Sequence, residues 1–517
     1  MGKRRALISV YDRTGLAEFA HGLDALGWEI VASGGTAAAI RKTGVAALEI
    51  EEVTGAAEML DGRVKTLHPA IHGGLLARRD DPEHLRTLAE RGIGTIDLVA
   101  NNLYPFAATL ARTSDRDEIV ENIDIGGPTL LRAAAKNHAH VWVVVEPADY
   151  PRVLDSMREG LDGADLRREL AAKAFALTAF YDAHVAGYLQ AELGQQFPDT
   201  LTIPLRKLQD LRYGENPHQA GAFYGAGAAE LGGAELPGIK HLHGLELSYI
   251  NILDLQSAWA AANDFDEPAV SIVKHTTPCG LAVHATSQVE AYRRAHAGDP
   301  ISAFGGIVGF NRPVELETVA AMKGHLYHVV VAPDYEADAL KRLKRRKNLR
   351  IMRWTRAGER RPLRFESAQV WGLNRGYLVQ DPDRSPGPEL RLHAVSDAQP
   401  TEADLEQLRF GLRVIRHVKS NAILLVRDHM VVGVGAGQVN RVNAVRLAVE
   451  QAGDQVADSY LISDAFFPFP DGPEIGLQAG VRAIVSVSGA MREDEVIATV
   501  NQRGGILVLV DERHFRH

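Results

Sequence analysis

Ile30-Val31-Ala32-Ser33-Gly34-Gly35-Thr36 carries a short apolar run straight into a turn of glycines and hydroxyls. Apolar residues that stop at such a turn read as a buried strand, and the chain beyond Thr36 continues as a helix. The alternation extends on both sides. Leu7 to Val10 is strand-like, and Thr14 opens a helix, Leu16 to Leu26, with apolar residues at helical spacing and Gly27 as its stop. Ile96 to Ala100 is a strand that ends in Asn101-Asn102, and Val141 to Val145 is another. Strands separated by helices predict a parallel α/β sheet with right-handed crossovers. In such sheets ligands bind beyond the carboxyl ends of the strands, where most of the conspicuous polar motifs of this chain fall.

The chain has 517 residues, too many for one ordinary core, so roughly two to four domains are expected. Hydrophobic content of 46% and charged content of 24% are ordinary for a globular protein. No apolar run approaches the length that crosses a bilayer, and the basic start leads into a run, Ala6 to Val10, too short for a signal-peptide core. A net charge of −9 argues against nucleic acid as a partner. The basic cluster from Lys341 to Lys347 follows an acidic helical pattern, Glu336 and Asp338, and reads as a solvated helix face. The single cysteine, Cys279, excludes an intrachain disulfide and a zinc site built on two thiolates, and it fits a reducing, cytoplasmic compartment.

A helical stretch from Asp165 to Leu193 is followed by Pro198 and Pro204, which place the main boundary near residue 200. The expected domains are 1–199 and 200–517, the second split near 380–400, where a polar, Pro-rich stretch reads as a surface connection. In this second part an apolar run, Ala269 to Val273, stops at Lys274-His275, and Pro278 and Gly280 are expected to turn the chain. A strand end is a rigid mount, and a Lys-His pair there can supply a cation and a base to one substrate atom. Taken alone, such a pair is more often a solvated edge than a catalytic pair. Ile272 to His275 is faintly matched by Arg416 to Asn421, which suggests two related halves.

Several N-terminal motifs carry chemistry. Ser33 to Thr36 is either a phosphate cradle, with backbone N–H groups and hydroxyls at a helix N-terminus, or a plain helix cap. Arg63-Val64-Lys65-Thr66 concentrates donors before a turn, as a phosphate site or as an exposed basic loop. Tyr104 follows a buried strand at the expected ligand edge. Asp124 stands among apolar residues and needs a partner if buried, while Gly126-Gly127 allows close backbone approach. Lys136 ends the helix from Thr129 to Ala135, where a cation also answers the helix dipole.

Taken in order, Ser33 to Thr36, Gly62 to Pro69, Asn102 to Phe106, Ile123 to Gly127 and Leu131 to His138 resemble the family that joins phosphoribosylaminoimidazolecarboxamide (AICAR) formyltransferase to IMP cyclohydrolase. Beyond residue 200 the resemblance rests on Leu211 to Gln219, Lys274 to Gly280, Ser302 to Gly306, Gly433 to Gln438 and Ser463 to Phe469, so it runs nearly end to end. It implies a methylglyoxal-synthase-like α/β domain and a transformylase of two cytidine-deaminase-like α/β subdomains. It also implies a homodimer with transformylase sites at the subunit interface, and the small-molecule partners AICAR, its formylated form FAICAR, IMP and the co-substrate 10-formyltetrahydrofolate. No metal is implied, since Cys279 has no second thiolate.

The resemblance assigns roles as well. His275 takes the proton of the attacking amine, Lys274 stabilises the oxyanion, and Asn421 orients the formyl group. Arg212, Tyr213, Asn251, Gln438, Arg441 and Arg513 contact substrate, and Phe466-Phe467 offers apolar surface near the folate. For cyclisation, Asp124 with Lys136 handles the attacking amide, and Lys65 with Tyr104 the oxyanion and departing water. Ser9, Arg13, Ser33, Gly35, Thr36, Arg63, Thr66, Asn102 and Gly126 match contacts to the nucleotide. The chain departs from the family at Arg13, where Lys is common, at Thr277, and at His328, where an acid is expected. His328 leaves open a chain with cyclohydrolase activity alone, and the N-terminal fold leaves open a non-catalytic nucleotide sensor.

Overall fold

The computed structural model describes residues 3–60, 62–104, 106–226, 238–355, 369–384 and 390–517. Pro105 of the Tyr104 motif and residues 385–389 of the expected surface connection lie outside the described residues. The chain forms two compact units, the first extending through Arg206 and the second holding most of the residues beyond it.

The first unit is built on five parallel strands, β1 (Arg5–Val10), β2 (Glu29–Ala32), β3 (Leu48–Glu49), β4 (Leu98–Asn102) and β5 (Trp142–Val144), in the order β3-β2-β1-β4-β5. Ala6, Leu7 and Ile8 in the central strand have no exposed surface, because helices cover both faces of a parallel sheet. The chain leaves β1 toward β2 on one side and returns as β4 on the other. That reversal opens a crevice at the carboxyl ends of β1 and β4. Register pairs Ser9 with Asn101 and Val10 with Asn102, so the two ends stand side by side. Asn101 and Asn102 belong to the strand rather than following it, and Asn101 is buried. Helix Leu16–Ala25 stops before Gly27 (φ 78°), and the long helix is Ala164–Glu192.

Twelve strands of the second unit form one mixed sheet. Between two short hairpins, β6 (Leu205–Leu211) with β7 (Gly221–Ala226) and β14 (Gln369–Leu373) with β15 (Gly376–Gln380), the chain lays down β8 (Ile239–His243), β9 (Ala269–Lys274), β10 (Thr277–Val283), β11 (Gly306–Phe310), β12 (Tyr327–Ala332) and β13 (Arg350–Trp354). After them come β16 (His393–Ala394), β17 (Ile423–Arg427), β18 (Met430–Gly435), β19 (Tyr460–Ser463), β20 (Ala483–Val487) and β21 (Ile506–Val510). The order is β16-β21-β20-β19-β17-β18-β10-β9-β11-β12-β13-β8. Read outward from the β18–β10 seam, the two sides repeat each other strand for strand.

The repeat holds a constant offset of 153 residues around both hairpins: Ser248 and Thr401 cap equivalent helices, and so do Ser287 and Asn440. Gly280 and Gly433 also correspond. A Cβ on Gly280 would lie 1.9 Å from the Ala295 carbonyl oxygen, and one on Gly433 would lie 2.2 Å from that of Ala448. Glycine is required at both because helix backbone packs directly on the strand. The expected halves therefore exist, but Lys274 corresponds to Arg427, not to the Arg416–Asn421 segment. That segment approaches the start of β17, whereas Lys274 stands at the end of β9.

Three further expectations change. The turn after Lys274 is His275-Thr276 itself, while Pro278 and Gly280 lie within β10. His393–Ala394 pairs with β21, so part of the 380–400 stretch belongs to the sheet. The basic cluster is only partly helical: the helix is Ala337–Leu343, and Arg346 beyond it donates to the carbonyls of His325 and Met322.

Candidate active sites

The crevice of the first unit is a cavity of about 700 Å³. Ser9 and Tyr11 reach it from β1, Asn102 and Tyr104 from β4, Arg63, Lys65 and Thr66 from a loop, and Asp124 and Gly126 from the start of helix Gly126–Lys136. Beside it, hydroxyls join β1 to the next helix: Ser9 Oγ donates to Ser33 Oγ at 3.1 Å and Ser33 Oγ to Thr36 Oγ1 at 3.3 Å. Ser33 caps helix Gly34–Arg41 without a side-chain bond to its N–H groups, which leaves those donors open to an anion. Arg13 and Lys65 converge there. A Cβ on Gly35 would meet the Arg13 guanidinium at 3.1 Å, and one on Gly34 would meet Lys65 Nζ at 3.7 Å.

Asp124 is held from two sides. Its backbone N–H donates to Tyr181 Oη at 2.7 Å, and its carboxylate accepts from the Gly127 N–H at 2.8 Å. Burial raises its pKa, and hydrogen bonds from the Gly127 and Gly126 backbones lower it by less. The two glycines admit this contact, since a Cβ on Gly127 would stand 2.4 Å from Asp124 Oδ2 and one on Gly126 2.9 Å from Thr66 Oγ1. Lys65 Nζ pairs with Glu58 at 2.7 Å, and Arg63 pairs with Glu121, so each cation already has a carboxylate partner. Asn102 is occupied in structure: its side-chain oxygen accepts from the Tyr11 and Asp12 N–H groups. Tyr11, which sequence reasoning did not single out, stands edge-on to Tyr104 with centroids 4.7 Å apart.

Lys136 is not brought to this cavity. It is exposed at the last residue of the helix whose first residue, Gly126, lines the cavity. At 1.5 Å per residue that is about 15 Å along the axis.

In the second unit Lys274 ends β9 and donates to the Phe304 carbonyl at 3.1 Å. His275 and Thr276 form a two-residue hairpin turn with φ of 53° and 64°. Such turns favour Asn and Gly, so this one is strained and needs an anchor. The anchor is Asp254, buried on helix Tyr249–Ala262, whose carboxylate accepts from the Thr276 N–H at 2.6 Å and the His275 N–H at 3.3 Å. Asn251 lies one turn earlier on the same helix face, though its side-chain oxygen is engaged by the Ser248 N–H. His328 is close to both Gly305, where a Cβ would meet its ring at 3.4 Å, and Lys274. Burial first, then the charges of Arg350 and Lys274, lower its pKa.

Asn421, Gln438 and Arg441 form one network. Asn421 donates to the Gln438 carbonyl at 2.8 Å and accepts from Arg441 at 2.8 Å. Arg441 also pairs with buried Asp464, which accepts from Ser420 Oγ at 2.5 Å and the Ala422 N–H at 3.1 Å. The His514 N–H donates to the Asp464 carbonyl, which brings the tail with Arg513 alongside. Arg516 bonds both Ser420 and Ser257, and Ser257 lies one turn beyond Asp254, so a single helix face touches the turn and the Asn421 segment. Phe466 is 39% exposed, but Phe467 is buried in the core, so only the first of the pair offers surface. Arg212 and Tyr213 follow β6 and contact each other, 5.8 Å from guanidinium to ring centroid. Among the described residues neither is hydrogen-bonded to the Lys274 turn.

Asp254 and Asp464 were missed by sequence reasoning. Asp464 stood inside a recognised stretch, and the isolated acid in Leu253-Asp254-Leu255 was the available signal for the other. Glu58 gave no signal.

Comparison with known proteins gives two family matches, whose boundary near residue 130 falls inside the first compact unit. Residues 134–451 match the family described as AICARFT/IMPCHase bienzyme, and residues 15–129 match the MGS-like domain. The bifunctional purine biosynthesis protein PurH of Desulfitobacterium hafniense (strain DSM 10664 / DCB-2) is 48% identical over 525 residues, covering 99% of this chain and 100% of that protein. PurH of Oceanobacillus iheyensis is 44% identical over 515 residues, with 99% and 100% covered. The crystal structure of ForH is 39% identical, covering 36% of this chain and 98% of that chain with a TM-score of 0.33.

Proposed function

The chain belongs to the AICARFT/IMPCHase bienzyme family and catalyses the last two steps of IMP synthesis, and we propose that the two side-chain clusters described above divide those steps between them. The observation that carries the division is that each cluster is built on a different sheet. One lies at the β1–β4 crevice, the other at the β9–β10 turn.

In formyl transfer the exocyclic amine of AICAR attacks the formyl carbon of 10-formyltetrahydrofolate. The new C–N bond forms, the C–N bond to folate breaks, and the proton lost by the amine ends on the departing folate nitrogen. That amine is a poor nucleophile because its lone pair is delocalised. His275, exposed at the strained turn, takes the proton, and Lys274 at the strand end stabilises the oxyanion. Asn421, fixed between Gln438 and Arg441, orients the formyl group, and Phe466 faces the pterin. Arg212 and Tyr213 supply nucleotide contacts from a second copy of the chain, a reading supported by their hairpin, which among the described residues is not hydrogen-bonded to the Lys274 turn. The homodimer is therefore part of this proposal, as are two deaminase-like subdomains, a cytoplasmic location and a reaction that needs no metal. Supporting the last two are the single buried thiol and the character of both clusters, cations and hydrogen-bonding groups rather than thiolates.

In cyclisation the carboxamide nitrogen of FAICAR attacks the formamide carbonyl, and the carbonyl oxygen leaves as water. A carboxamide N–H is barely acidic, so orientation and charge stabilisation matter more than base strength. Asp124, with its raised pKa, accepts the amide proton, and Lys65 with Tyr104 stabilises the oxyanion. Arg13, Ser33, Gly35 and Thr36 hold the phosphate. Lys136, outside the cavity, is assigned no atom of the reaction.

The test uses two assays, AICAR with 10-formyltetrahydrofolate and FAICAR alone. Lys274→Ala or His275→Ala should abolish transfer and leave cyclisation intact, and Asp124→Ala should do the reverse. Near-normal transfer by either of the first two variants would overturn the assignment.

A further inference from the structure

A second cavity, about 570 Å³, opens in the second unit beyond the end of β10, around Val283 and His284. Thr277 to Val283 spans six steps of about 3.3 Å, which places it roughly 20 Å from the Lys274 turn. The 153-residue repeat shows what it is. Arg409, Phe410 and Arg413 on helix Glu402–Ile415 occupy the places of Gln256, Ser257 and Ala260 on helix Tyr249–Ala262. His429 corresponds to Thr276, and Gln407 to Asp254. Gln407 repeats the anchoring contact, accepting from the His429 N–H at 3.0 Å where Asp254 accepts from the Thr276 N–H. The cavity is the second half's counterpart of the transformylase surroundings. It lacks a Lys-His turn, since Arg427-Asp428 stands in that place.

Its chemistry is that of a binding site. Three guanidiniums line it, those of Arg294, Arg409 and Arg413, and among the described residues none of them has an ion-pair partner. Arg294 donates to the Asp428 carbonyl at 3.1 Å, Arg409 to that of Leu390 at 3.4 Å, and Arg413 stands 5.8 Å over the Phe265 ring. Phe265 and Phe410, 5.5 Å apart, are core side chains that back the lining, and the half-buried ring of His429, edge-on to Phe410 at 5.6 Å, is the aromatic surface it presents. Exposed carboxylates of Glu267 and Glu406 complete the lining.

We infer that this cavity binds a nucleoside monophosphate. Guanidinium forks match phosphate oxygens, the His429 ring offers a flat base a stacking surface, and the carboxylates accept from ribose hydroxyls or an exocyclic amine. The volume falls in the range of small-molecule sites. A bare phosphate would leave the His429 ring and the carboxylates unused, and a polycarboxylate tail would face Glu267 and Glu406.

The probe is AMP, with hydrogen exchange of residues 402–415 and 428–430 as the readout on the full chain. AMP should protect both segments. Arg409→Gln and Arg413→Gln should each weaken that protection about tenfold or more in concentration, the value of one hydrogen bond to a charged group. The rate of IMP formation without AMP should be unchanged in both. Glu406→Gln, an exposed change that carries the test should an Arg variant misfold, should weaken AMP but not inorganic phosphate. No protection at saturating AMP, equal protection by phosphate alone, or unaltered AMP affinity in Glu406→Gln or in a folded Arg variant would overturn the inference.

Discussion

Replacing Asp254 by Asn separates the chemistry of His275 from the turn that presents it. The Asp254 carboxylate holds the His275 and Thr276 N–H groups at 3.3 and 2.6 Å. Those residues keep φ of 53° and 64°, a region that costs a non-glycine residue roughly 1–2 kcal/mol. An amide retains one acceptor and turns its NH₂ toward the other N–H. One charge-assisted bond, about 1.5–3 kcal/mol, is lost. The loss matches the strain that the carboxylate offsets, so the turn spends much of its time relaxed. At 1.4 kcal/mol per factor of ten, formyl transfer should fall about 10- to 100-fold, with FAICAR cyclisation unchanged. Adding Thr276→Gly should recover about tenfold, because glycine adopts that φ without cost. The assay is the initial rate of each half-reaction for wild type, Asp254→Asn and the double variant. Transfer within twofold of wild type in Asp254→Asn, or no recovery with Thr276→Gly, would refute the reasoning.

Gly127→Ala should strike the other reaction: its Cβ would lie 2.4 Å from Asp124 Oδ2 and 2.7 Å from Leu103 Cδ2, so the carboxyl must move. Cyclisation should drop about 5- to 150-fold from roughly 1–3 kcal/mol of overpacking, with formyl transfer intact, and a normal FAICAR assay would count against Asp124. His328, whose pKa burial and then Arg350 and Lys274 hold below the usual imidazole value, is neutral at pH 7. A base with a lowered folded pKa binds fewer protons when folded, so stability falls as pH drops below the free value near 6.5 and the loss saturates below the folded pKa. His328→Gln should flatten that acid loss in thermal unfolding and extend transfer to lower pH; superimposable pH curves would reject the effect. Cys279, 9% exposed with its thiol pushed up by burial to about 12, should resist thiol reagents at pH 8 until the chain unfolds, and Cys279→Ala should keep transfer. Rapid labelling of the native protein would contradict this.

The parallel sheet of the first unit was legible because its strands are apolar triplets and quartets broken by Gly and hydroxyl turns, a local signal. The residues gathered at its crevice were legible for the same reason: Ser33, Tyr104 and Asp124 each stand just past an element end. What was hidden came from distance in sequence. Lys136 shares a helix with Gly126, but only the helix's length shows that the two ends stand about 15 Å apart. Asp254 anchors a turn about twenty residues away, and nothing in Leu253-Asp254-Leu255 announces its partner. The turn itself was misplaced because His-Thr is a poor composition for left-handed backbone, and Pro278 with Gly280 drew attention instead. The duplication showed faintly, but polar residues aligned the wrong segments. The register is set by Gly280 and Gly433, through a helix contact that side-chain similarity does not record.

The seam between β10 and β18 has a meaning for solubility. Their ladder is short, with Ala282 opposite Met430 and the Val283 N–H on the His429 carbonyl. Yet Leu281, Ala282, Val431 and Val432 are buried. Either half alone would present an apolar edge strand with unpaired N–H and C=O groups, the template on which chains aggregate. Each half is therefore the other's edge protection. A truncation between β15 and β16 should yield inclusion bodies rather than a smaller enzyme, and duplication solved an edge problem before it offered a second surface to specialise.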